Sequence, residues 1–149
     1  VLDTNIFILF IIGTISPDKI NSDRRTSIYK KEHYDYLLNI MKQYKNIITC
    51  PNIFTEVDNL LNQHFWGEKK LVYLKLLKEI LDKSIEKYYA SKDTVQDWIF
   101  EEVGLTDSVI IKMALESDLL ISGDSALCEI AKSFGVQVFD FKEYVNLIL

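Results

Sequence analysis

Glycine and proline are scarce in this chain of 149 residues, with five and two copies. That argues against long flexible linkers and for one domain spanning 1–149, large enough to bury a core. Histidine and cysteine number two each, and no Cys-x-x-Cys pair occurs. A structural zinc site therefore lacks its ligands. Cys50 and Cys128 stand among apolar residues and read as free buried thiols, which suits a reducing, cytoplasmic setting. The longest apolar run, residues 6–12, is too short to span a bilayer, and no signal peptide is visible. The chain starts at Val1 and not Met, so its first strand reads as cut, with residues expected upstream.

Positive charge is also in short supply. The net charge of −5 argues against a broad electrostatic hold on nucleic acid. Its distribution is uneven. Residues 17–31 hold five bases (Lys19, Arg24, Arg25, Lys30 and Lys31) against two acids, a net of +3. Residues 93–149 hold eleven acids against three bases, a net of −8. A basic segment beside an acidic pocket suits a polyanionic substrate meeting metal ligands, with Arg24, Arg25, Lys30 and Lys31 as candidate substrate contacts. An ordinary solvated loop explains the same charges.

What is present is an alternation of strand and helix. Residues 1–3 read as the end of a buried strand and 5–12 as a helix covered on nearly all sides. Residues 13–31 read as a polar insertion or loop around Pro17. Helices follow over 32–44, from Pro51 onward, over 68–83 and over 105–117, with a helical turn over 98–103. Strands are expected at 47–50, 119–122 and 136–139, with a further short one at 88–90. Helices over 125–134 and 141–149 complete the chain. This order predicts an α/β fold, a three-layer α/β/α sandwich with a central parallel sheet.

Four acids lie on the apolar side of their elements: Asp3, Glu56, Asp107 and Asp124. Asp3 ends the first strand, and Asp124 follows strand 119–122 by one glycine. Glu56 lies within two turns of the helix after Pro51, three residues from Ile53 and four from Leu60. Asp107 shares a helix face with Ile110, Ile111 and Ala114. Each has a structural explanation: Asp3 and Asp124 as helix caps, Asp107 as a partner of the helix dipole, Glu56 as a lysine's partner. Convergence of all four at the carboxyl ends of parallel strands is harder to explain that way, because ligands bind at that edge. Clustered carboxylates repel unless a cation lies between them. An oxygen-only donor set favours Mg²⁺ or Mn²⁺, which can activate water and bind a phosphodiester oxygen. Whether one or two ions are held stays open at this stage.

Four segments carry a family likeness: Val1-Leu2-Asp3-Thr4-Asn5, Thr55-Glu56-Val57-Asp58-Asn59-Leu60-Leu61, Gly104-Leu105-Thr106-Asp107-Ser108, and Leu120-Ile121-Ser122-Gly123-Asp124. In order and spacing they resemble the PIN domain nucleases across nearly the whole chain. The resemblance implies metal-dependent cleavage of RNA, with Asp3, Glu56, Asp107 and Asp124 as the acidic quartet that holds the metal. Asn5 would orient the first aspartate or a water, and Ser122 would support the last acid. It implies, as partners, an RNA substrate and for toxin-type members an inhibitory antitoxin-like protein. A homodimer is a further expectation, from the apolar stretches 5–12 and 145–149.

Two other readings compete. A phosphatase resembling the haloacid dehalogenase family would use Asp3 as nucleophile. It needs a second aspartate two residues on, where Asn5 stands, and an acid where Cys128 stands. A catalytically inactive PIN-like module that binds RNA or protein would be expected to have lost part of the quartet, and all four acids are present.

Overall fold

The structure, a computed structural model, describes residues 1–147. The expected closing helix over 141–149 is α9 (Phe141–Leu147), and its last two positions fall outside the described residues. The other helices are α1 (Thr4–Ile15), α2 (Lys31–Met41), α3 (Pro51–Leu61), α4 (Glu68–Lys83), α5 (Ser91–Thr94), α6 (Trp98–Val103), α7 (Leu105–Leu115) and α8 (Ser125–Ser133). Strands β1 (Ile48–Thr49), β2 (Ile85–Glu86), β3 (Leu120–Ser122) and β4 (Val138–Asp140) are two or three residues long.

The expectation of a central parallel sheet is overturned. The molecule is mostly helical, at 61% helix, with two separate two-stranded parallel ladders, β1–β2 and β3–β4. The first segment joins β3 through the single bridge between Leu2 and Ile121 and does not form a strand. A cavity of about 320 Å³ has Val1, Leu2, Ile47, Ile48, Leu119 and Ile121 in its lining. The parallel direction of the pairing is as expected, but strands this short cannot form a layer of their own. The strand expected at 88–90 lies instead at Ile85–Glu86, and helix α5 was not anticipated.

Helices supply the core. In α1, Ile6, Phe7, Ile8, Leu9, Ile11 and Ile12 are all buried, so the helix is enclosed on nearly every side, as its run of apolar residues implies. Asp3 caps its start and Pro17 follows its end, opening a 3-10 turn, Pro17–Lys19. The core around α1 runs from Leu2 to Val145 as one cluster. Helix α4 buries Tyr73 and Ile80, while Leu71 and Leu74 are exposed. Cys50 and Cys128 are free and buried. Among the described residues no helix is long and apolar enough to cross a membrane.

Close packing of α1 on α2 leaves no space beside Gly13. A Cβ there would lie 2.3 Å from Cδ2 of Tyr34, whose hydroxyl is hydrogen-bonded to Thr14 at 2.9 Å. Gly13→Ala should destabilise the protein by about 1–3 kcal/mol through overpacking. Denaturant titration checks this: an unchanged midpoint would mean that the Tyr34 ring moves aside freely.

Candidate metal centre

Four segments form the acidic rim. The first runs beside β3, with the Asp3 amide donating to the Ile121 carbonyl at 3.0 Å. That pairing brings the amino end of α1 against Ser122, and Asp3 is 7% exposed. Its Oδ1 accepts from the Thr4 amide and its Oδ2 from the Ser122 hydroxyl, both at 2.7 Å. The Ser122 hydroxyl in turn accepts from the Asp124 amide at 3.0 Å. Asp124 caps α8, its Oδ1 accepting from the amides of Ala126 and Leu127. On the other side, the Thr4 hydroxyl donates to Glu56 Oε2 at 2.8 Å. One hydrogen-bonded chain therefore runs from Asp124 through Ser122, Asp3 and Thr4 to Glu56.

Asp107 enters from α7. Gly104, with φ +86°, turns the chain between α6 and α7 and places Asp107 in the first turn of α7. Half-buried, its carboxyl is pushed up to about 6 by burial, then by the charges of Asp3, Asp124 and Glu56. Asp3 is raised as well, chiefly by burial; bonds from Ser122 and Thr4 lower it, and Asp124 and Glu56 raise it again. All four acids thus share one electrostatic environment. The ion pairs among the described residues are Lys31–Asp35, His64–Asp23, Lys87–Glu116 and Lys112–Asp97, and none relieves the rim.

The donor chemistry suits a hard divalent cation, because every candidate ligand is a carboxylate oxygen. The oxygens not engaged in the hydrogen bonds above are both of Asp107, Oε1 of Glu56 and Oδ2 of Asp124. Asp3 is more strongly committed, as a helix cap and an acceptor from Ser122. Among the described residues no three acids, histidines or cysteines are already drawn together as a metal-binding group. The carboxylates match a hard ion in donor chemistry, but they are not preassembled as a metal-binding group.

Two contributors were missed in the sequence. Thr4 links Asp3 to Glu56, a role that nothing in its spacing marks. The Tyr29 hydroxyl lies at the rim: a Cβ on Gly123 would fall 2.8 Å from it. Burial and then the charges of Asp3 and Asp140 push that phenol up to about 12. Of the expected supporting residues, Ser122 is buried and holds Asp3, whereas Asn5 is exposed. The basic residues spread out. Arg24 and Arg25 are exposed in the turn-rich segment after the 3-10 turn, Lys30 caps α2, and Lys31 pairs with Asp35 at 3.6 Å. Comparisons with known proteins add nothing to this geometry: no family model, no curated protein and no solved structure matches the chain.

Proposed function

We propose that the protein is a metal-dependent ribonuclease that hydrolyses phosphodiester bonds. The observation that carries this reading is the rim itself: Asp3 and Asp107 are both raised, first by burial and then in part by the charges of Asp124 and Glu56, and no ion pair among the described residues relieves them. The four segments that resemble PIN domain nucleases contain these acids and support the same reading. Asp107, Glu56 and Asp124 would hold Mg²⁺ or Mn²⁺, with Asp3 beside them. A divalent ion bound there would polarise a phosphoryl oxygen and acidify a water.

The chain's own residues supply the remaining roles. Asp107, whose carboxyl is raised to about 6 without a cation, is a ligand whose charge a divalent ion would relieve. Ser122 and the Thr4 amide hold the Asp3 carboxylate, and the Thr4 hydroxyl holds Glu56, so these two acids would be oriented before substrate arrives.

Asp124→Asn tests this reading. Asparagine keeps the oxygen that caps α8, so folding is preserved while the charge is removed. The wild type should cleave single-stranded RNA with Mg²⁺ or Mn²⁺ and stop in EDTA, and Asp124→Asn should lose roughly a hundredfold or more in rate. Equal activity of the two proteins would sink the proposal.

A further inference from the structure

A second feature lies at the far end of α1, about 18 Å from Asp3 by the rise of the helix. It is a cleft of about 480 Å³ whose lining includes Ser16, Lys19, His64, Trp66 and Lys69. Three observations there are unexplained by packing. Trp66 is 85% exposed, more than any other large apolar side chain described. Lys19 and Lys69 stand side by side without an acidic partner among the described ion pairs, Lys69 donating to the Ser16 hydroxyl at 3.0 Å. Partial loss of water, and then the Lys19 ammonium, lower the pKa of Lys69. Two neighbouring ammonium groups repel, and an anion between them reverses the sign of the interaction.

The walls of the cleft are tied together. His64 Nε2 and Asp23 Oδ2 lie 2.7 Å apart, and Asp23 Oδ1 accepts from the Arg25 amide. Asp23 is thereby occupied, and the remaining acid of the lining, Glu68, is exposed at the first turn of α4. The bond to His64 also holds the Arg24–Arg25 turn beside the cleft. The same segment ends at Tyr29, over Gly123 and the acidic rim. One stretch of chain therefore connects the two features. An exposed indole beside paired cations is the combination that binds single strands, by stacking a base and holding a phosphate.

We infer that this cleft is a nucleotide subsite for single-stranded RNA, with a phosphate between Lys19 and Lys69 and a base stacked on Trp66. It deepens the ribonuclease reading and rests on RNA as the ligand, but not on the acids as catalysts. The separation from Asp3 corresponds to roughly five nucleotides at stacked spacing, so one short strand reaches both.

The test measures anisotropy of a fluorescein-labelled 12-residue oligouridylate in EDTA, which removes metal without touching the cleft, across a salt series. Trp66→Ala should weaken binding on the order of tenfold. Lys19→Gln with Lys69→Gln should weaken it similarly and flatten the salt dependence by roughly one unit of slope. Trp98→Phe, altering an exposed indole that packs on Phe134, should bind as the wild type does. These surface variants are checked for folding by circular dichroism. Wild-type affinity in both cleft variants would overturn the subsite, as would loss of a dimer in Trp66→Ala with RNA affinity unchanged. Asp124→Asn separates the two readings. If it and the wild type bind RNA through Trp66 but neither cleaves, the subsite stands and the ribonuclease falls. If the wild type cleaves and Trp66→Ala binds and cleaves equally well, the reverse holds.

Discussion

Asp107→Asn is expected to stabilise the metal-free protein and to remove its activity. The carboxyl is raised from 3.8 to about 6, first by burial and then by Asp3, Asp124 and Glu56. A raised carboxyl means that the ionised form is disfavoured in the folded state. At full burial that elevation would correspond to about 3 kcal/mol. Asp107 is half-buried, and solvent screening reduces the figure to about 1 kcal/mol. For a chain of this size the melting temperature should rise by roughly 2–4 °C. The sign with pH follows from linkage. Between about pH 4 and pH 6 the folded protein holds a proton that the unfolded chain has released, so stability falls as pH rises through that window. Asparagine cannot ionise, so the variant should show a shallower fall there. Asp3, raised in the same direction, keeps part of the dependence. Cleavage by the variant should drop by roughly a hundredfold or more, because a candidate metal ligand is gone. Thermal melts from pH 4 to 8 and rates on single-stranded RNA check both halves. A variant that melts lower than the wild type and still cleaves would remove Asp107 from the site.

Phe7→Ala should have the opposite effect on stability, and a larger one. Phe7 is fully buried in α1 and meets the Phe54 ring edge-on, with centroids 5.0 Å apart. Truncating a buried phenylalanine costs about 3–5 kcal/mol, from lost transfer energy and the cavity left behind. The melting point should fall on the order of 10 °C. A cost below about 1 kcal/mol would mean that the surrounding residues collapse into the space, and that α1 is not the rigid centre of the molecule. Because α1 starts at Asp3, this variant should also loosen the acidic rim. Its rate should fall even at temperatures where it remains folded.

Much of the local structure could be read from residue order. The apolar run in α1, Pro51 at the start of α3 and the spacing of Leu71, Leu74, Leu77 and Leu81 in α4 each point to helix, because helical periodicity and capping are properties of neighbouring residues. Asp3 and Asp124 were legible as caps for the same reason, and both do cap helices. The sheet was not legible. Runs such as 119–122 and 136–139 do pair in parallel, but whether the pairs join depends on backbone distances between remote segments. Here β1–β2 and β3–β4 stay separate ladders, and no local pattern encodes that.

The same division holds for the rim. Sequence alone singled out the four acids and the oxygen-only chemistry that would favour a hard cation over a soft one; the structure buries Asp3, half-buries Glu56 and Asp107, and leaves Asp124 exposed. Tertiary structure decided that Ser122 and Thr4 fix two of them, that Asn5 faces solvent, and that Tyr29 reaches Gly123. It also decided that Trp66, Lys19 and Lys69 share a cleft although they lie up to 50 residues apart. Periodicity and charge act over a few residues along the chain. Convergence depends on how the helices pack around α1, which is the sum of many weak contacts and leaves no signature at any one position.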